Sequence, residues 1–279
     1  MAMENKQSRA AAGIALDWHA AGEGDGKWDG TPCWAHVRVR NPGKLGAMTV
    51  AMWLQLREVF ERIAQQPQLR CVLVTGEDGA FCAGGDISEY AQFRFDPQTL
   101  AHFHEHQVWG GLSAMLACDV PLIAAIDGPC MGAGLEIASC CDLRIATGRS
   151  QFGAPIARLG FPMAPRELAL VGRSVGDALA RRMLLAAQVL PAQALHEVGF
   201  LAQLLPEQEF EAAAQQWVQR LLALAPQAAR MHKRSLRTLA DASPQQALAA
   251  LLPGAYDYAP NAEHREGIAA FLAKRKPQF

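Results

Sequence analysis

Twice in this chain an apolar, strand-like run breaks into a cluster of glycines and then re-enters helix-forming residues. The first instance is CVLVTGEDGAFCAGGDISEY, residues 71–90, and the second PLIAAIDGPCMGAGLEIASC, residues 121–140. Strand, bend and helix in that order make a βα unit, and parallel strands need such a crossover, so the pattern predicts α/β architecture. Glycine has no Cβ, so its main-chain amide can approach a ligand closely. The first amides of a following helix have no internal acceptor and carry partial positive charge. Bends of this kind receive oxyanions. The plainer reading is that the glycines only turn the chain. A dinucleotide fingerprint is a further reading, but Ile137 stands at its third glycine position, and DLRIATG supplies no acid for a ribose.

Other segments extend the α/β pattern. CWAHVRV alternates as a strand and closes at Asn41–Gly43. In MTVAMWLQLREVFERIAQQ the apolar residues Met52, Trp53, Leu56, Val59, Phe60 and Ile63 recur at helical spacing, with Thr49 as N-cap and Pro67 beyond the end. LRCVLVTG, DVPLIAAIDG and DLRIATG read as strands. From about residue 207 the periodicity is helical, through EQEFEAAAQQWVQRLLALAP to AEHREGIAAFLAKRKP. The expected organisation is an α/β core over residues 31–206 and a helical region over 207–279, with no linker between them. Residues 1–30, rich in Ala, Gly and charge, are expected to be a flexible lead-in.

Charge and composition exclude several classes. The net charge is -1, from 26 basic and 27 acidic residues, which leaves no electrostatic footprint for nucleic acid or an anionic membrane. No stretch offers some eighteen uninterrupted apolar residues, and the N-terminus lacks a basic start followed by an apolar run. The seven cysteines show no C-x-x-C pair and sit mostly in apolar runs, as buried thiols of a reducing cytoplasm do.

Four segments in order, AFCAGGDISE, PLIAAIDGPCMGAGLEIASCCDLRIAT, SQFGAP and REGIAAFLAKRKPQF, resemble signatures of the crotonase family, the enoyl-CoA hydratases and isomerases. The likeness runs from about residue 34 to the C-terminus. It implies a spiral of ββα units with a C-terminal helical region that forms a homotrimer or a dimer of trimers. It also implies an acyl-coenzyme A thioester as substrate, with coenzyme A part of that substrate and no separate cofactor or metal. The thioester carbonyl would be held by the amides of Gly85 and Ala133, which stabilise an enolate as its charge develops. Glu136 matches the catalytic glutamate, one helical turn from the second donor, and burial beside Leu135 and Ile137 should raise its pKa. Lys274 and Phe271 are candidates for the phosphate and adenine of coenzyme A.

The chain departs from this family in two adjoining places. Where hydratases carry a second glutamate directly after QFGxP, this sequence has Ile156, which transfers no proton. The following loop, FPMAPRELALVG, is about four residues shorter than usual. Glu167, beside Arg166 on that loop, is a candidate replacement acid, the alternative being a solvated helix start. The expected reaction is enoyl-CoA hydration or isomerisation. Thioester hydrolysis, decarboxylation, or a silent acyl-CoA-binding protein stand as alternatives.

Other groups suggest simpler roles. His102 and His106 share a helix face at metal-ligand spacing without an evident third ligand, and the cluster His102, His104 and His106 could line an acyl pocket. Asp86 and Glu89 are placed to cap a turn. Cys140 and Cys141 read as core, and the basic cluster MHKRSLR as a solvated face.

Overall fold

The computed structural model describes residues 11–20, 31–241, 244–253, 255–257, 259 and 261–279. Strand β1 (Gly13–His19) pairs antiparallel with β2 (Trp34–Arg40), which α1 (Val50–Ala64) connects to β3 (Cys71–Gly76). After α2 (Pro97–His102) the residues Phe103–Val108 form a π-helical turn that runs into α3 (Trp109–Ala117). Then follow β4 (Leu122–Ile126), β5 (Pro129–Met131), α4 (Ala133–Cys140), β6 (Leu143–Thr147) and β7 (Gln151–Gly153). Next come α5 (Pro165–Val175), α6 (Asp177–Leu184), β8 (Leu190–Pro191), α7 (Ala192–Glu197) and β9 (Gln203–Leu205). The remainder is helical: α8 (Phe210–Leu222), α9 (Pro226–Asp241), α10 (Pro244–Leu251) and α11 (Ala262–Leu272).

A six-stranded sheet of order β1-β2-β3-β4-β6-β9 is parallel beyond its first pair, and β5, β7 and β8 form a smaller second sheet. Strand alternation explains why the large sheet is covered on both faces. Val72 and Val74 of β3 face α1 and α3, packing with Met52, Phe60, Leu112 and Met115. Cys71 and Leu73, pointing the other way, pack with Ala213, Val218 and Leu222 of α8.

The expected lead-in over residues 1–30 contains a strand, which corrects that reading. Ile14, Leu16 and Trp18 alternate along β1 and pack partly buried against the core, a period-2 signal that the surrounding Ala, Gly and charge obscured. Residues 1–10 and 21–30 lie outside the described residues. The MHKRSLR cluster is also more than a solvated face. Arg234 and Arg237 pair with Asp119 at 2.6 and 2.7 Å, and Lys233 with Asp142 at 2.8 Å, fastening α9 to the loops that flank β4 and β6. Among the described residues, no helix is long and apolar enough to cross a membrane.

Helix α1 starts where the sequence predicts: the Thr49 hydroxyl accepts from the Met52 amide at 3.2 Å, and Glu89 accepts from the Val50 amide at 2.8 Å. Thr49→Ala should cost about 1 kcal/mol. Chemical denaturation should show that loss as a lower midpoint with an unchanged slope.

Candidate active site

The two glycine loops are tied to each other by main-chain bonds. The amides of Phe81 and Cys82 donate to the Pro129 carbonyl, each at 3.0 Å, and the Met131 amide donates to the Cys82 carbonyl at 2.8 Å. Side chains are excluded at the crossing. A Cβ on Gly134 would lie 2.5 Å from the Cys82 carbonyl oxygen. Gly132, which opens α4, has φ 46°, a left-handed conformation that favours glycine.

This construction leaves two amides out of the main-chain ladder. The bridge between Met48 and Gly85 uses the amide of Met48, which donates to the Gly84 carbonyl, and that of Asp86, which donates to the Met48 carbonyl, each at 2.8 Å. The Gly85 amide takes no part. Ala133 is the first residue of α4, and the first main-chain bond of that helix runs from the Glu136 amide to the Gly132 carbonyl at 3.0 Å. Its amide therefore has no acceptor within the helix. Gly85 and Ala133 line the same cavity, of about 300 Å³, together with Glu136, Ile156 and His104. Trp53, Phe103, Val108, Met131 and Met163 give it apolar walls.

Glu136 is only 9% exposed, and its carboxyl makes no hydrogen bond among the described residues. Burial in this apolar setting, helped by the charge of nearby Glu167, pushes that carboxyl up to about 8. The group is therefore poised between acid and base close to neutral pH.

Glu167 is 2% exposed, on the first turn of α5, which overturns the expectation of a solvated helix start. Its Oε1 lies 3.1 Å from Nδ1 of His104, on the π-helical turn. The neighbouring Arg166 does face solvent, where it pairs with Glu105 at 2.8 Å. A charged pair in sequence thus splits, one member entering the core and the other leaving it. Ile156, by contrast, presents an apolar wall where the second glutamate would stand.

The remaining candidates lie apart from this cluster. Phe271 is 83% exposed and Lys274 is exposed beyond the end of α11, and neither lines the cavity of its own chain. The rings of His102 and His106 are 5.0 Å apart, with no third metal-binding side chain beside them among the described residues. Asp86 caps its turn by accepting from the Ser88 amide at 3.1 Å and pairs with Lys44 at 2.7 Å. Burial raises the thiols of Cys140 and Cys141, the latter to about 12, as expected of core residues rather than nucleophiles.

Sequence reasoning assigned no role to Arg94, whose guanidinium lies over the rings of Phe161 and Tyr90, 3.5 and 4.4 Å from their centroids, on the cavity wall. The pairing of His104 with Glu167 was equally hidden, because 63 residues separate the two and neither carries a motif.

Residues 33–279 match the enoyl-CoA hydratase/isomerase family. The chain belongs to that family. A 2,3-dehydroadipyl-CoA hydratase of Escherichia coli strain K12 is 30% identical over 243 residues, 87% of this chain and 93% of that protein. The mitochondrial enoyl-CoA hydratase of Pongo abelii is 27% identical over 248 residues, covering 87% and 82% of the two chains. The crystal structure of an enoyl-CoA hydratase/carnithine racemase from Magnetospirillum magneticum superposes with a TM-score of 0.84 at 33% identity, over 88% of this chain and 92% of that one. The fold is accordingly that of the crotonases, with the two glycine loops meeting at the cavity.

Proposed function

We propose that this protein binds an acyl-CoA thioester with its carbonyl between the amides of Gly85 and Ala133, stabilises the enolate, and uses Glu136 to move a proton. The observation that carries the reading is the convergence of two amides outside the main-chain ladder and one uncompensated buried carboxyl on a single cavity. Each donor in such a pair supplies typically about 3 to 4 kcal/mol to the transition state. In hydration the ionised Glu136 takes a proton from water as the oxygen bonds to the β-carbon, and the π electrons pass to the thioester oxygen. Enoyl-CoA hydration or double-bond isomerisation is the best-supported reaction class, since both run through this enolate. Ile156 favours a second reading, decarboxylation through the enolate or thioester hydrolysis through a tetrahedral oxyanion held by the same two amides, because the wall that would carry the second glutamate is apolar. Coenzyme A enters as part of the substrate, and the reaction asks for no further cofactor.

Assembly as a homotrimer or dimer of trimers is supported by the exposed Ile268, Phe271 and Leu272 of α11, a helix that would bring Phe271 and Lys274 near coenzyme A on a neighbouring copy. The seven cysteines are all free, as suits a reducing cytoplasm.

Crotonyl-CoA in deuterated water tests the reading. Loss of absorbance from the conjugated thioester reports hydration, and deuterium at the α-carbon reports enolate formation. Exchange without hydration would transfer the assignment to the other enolate reactions, whereas binding with neither would leave a silent acyl-CoA-binding protein.

A further inference from the structure

Hydration needs two proton transfers, one from water and one to the α-carbon, and Ile156 can perform neither. The cavity holds a second group suited to the task. His104 lines it together with Glu136, and the residue behind that imidazole, Glu167, is buried at 2% exposure. With the Glu167 Oε1 as acceptor of the 3.1 Å contact, the proton between them belongs to Nδ1. Nε2 then carries the exchangeable site, and among the described residues no hydrogen bond occupies it. The ring is also held sterically: Phe103 packs edge-on to it at 5.1 Å between centroids. The backbone that presents it is the π-helical turn, a widened turn often found at functional sites.

We propose that His104 is the second proton-transferring residue of this site and that Glu167 is its positioning residue, an inference that rests on the acyl-CoA reading above. In the forward direction Glu136 takes a proton from water as the oxygen–carbon bond forms. The enolate electrons then form a carbon–hydrogen bond with the proton on Nε2 of a doubly protonated His104, restoring the thioester and leaving a neutral imidazole. Exchange with solvent returns a proton to His104 and removes one from Glu136. The reverse reaction uses neutral His104 as the base that takes the α-proton. The charged and titratable groups that line the cavity with His104 are Glu136 on α4, Arg94, Tyr90 and Arg158, and Glu167 on α5 stands behind its Nδ1.

The test compares wild type, His104→Ala and Glu167→Gln with crotonyl-CoA in deuterated water. His104→Ala should lower hydration and α-exchange by about 10²- to 10⁴-fold. Its affinity for crotonyl-CoA should stay within about threefold, and added imidazole should restore part of the rate, because a small base can enter the space left by the ring. Glu167→Gln should lower kcat more than it changes KM and displace one limb of the pH profile, with Glu167→Asp recovering part of the loss; a packing role would leave the pH limb in place. Wild-type turnover matched by His104→Ala overturns this inference alone, as does a loss that imidazole leaves unrelieved while circular dichroism and substrate affinity are intact. A wild type that binds crotonyl-CoA but neither hydrates nor exchanges overturns the enolate reading, and this inference with it.

Discussion

Glu136→Gln should lower kcat/KM for crotonyl-CoA by about 10²- to 10⁴-fold while leaving its dissociation constant within about threefold. Glutamine preserves shape and removes only the proton chemistry. The same substitution reports on the electrostatics. Because burial lifts the carboxyl from 4.5 to about 8, the native state holds a proton through that interval while the unfolded chain has released it. Stability contributed by this group is thus complete below about 4.5, declines as pH rises, and is lost above about 8. At about 1.4 kcal/mol per pH unit the loss is on the order of 3 to 5 kcal/mol. The substituted amide has nothing to ionise, so the variant should melt above wild type by a margin that widens from pH 5 to pH 9. A constant margin would show that the carboxyl is solvated. Activity should follow the same ionisation. Where Glu136 must accept a proton from water, kcat/KM should rise with pH along a limb centred near 8.

Gly134→Ala should be destabilising by about 2 to 3 kcal/mol and should reduce turnover roughly a hundredfold. In an ordinary helix this exchange stabilises by about 1 kcal/mol, since glycine forfeits more backbone freedom on folding. Here the new methyl would stand 2.5 Å from the Cys82 carbonyl oxygen and 2.9 Å from Cys82 Cβ. The carbonyl is not free to retreat, because it accepts the Met131 amide that joins the two loops. Relief must come from separating the loops, which moves Gly85 away from Ala133. Gly172→Ala on α5 is the matched control: beyond its chain neighbours and its own helix backbone no atom lies within 4 Å of its added carbon, and it should hold or gain stability. Equal effects of the two substitutions in thermal melts would contradict this account of the crossing.

These expectations divide according to how far apart in the chain their causes lie. Helix α1, strands β2, β3, β4 and β6 and the helical region from residue 207 were legible, because each depends on periodicity within about fifteen residues. The glycine loops and the burial of Glu136 were legible too, since their motifs are contiguous and the chain folds each one locally. Strand β1 was not, because three alternating apolar residues are a weak signal until β2 supplies a partner.

Residue types and local order alone determined the α/β class, the family likeness, the two glycine bends and the absence of a second glutamate at Ile156. Only the tertiary structure decided that Glu167 enters the core while Arg166 leaves it, that His104 meets Glu167, and that Glu136 feels a second buried acid. The physical reason is that burial and charge coupling are properties of a side chain's spatial neighbours, and α3, α4 and α5 become neighbours only when the chain has closed around the cavity.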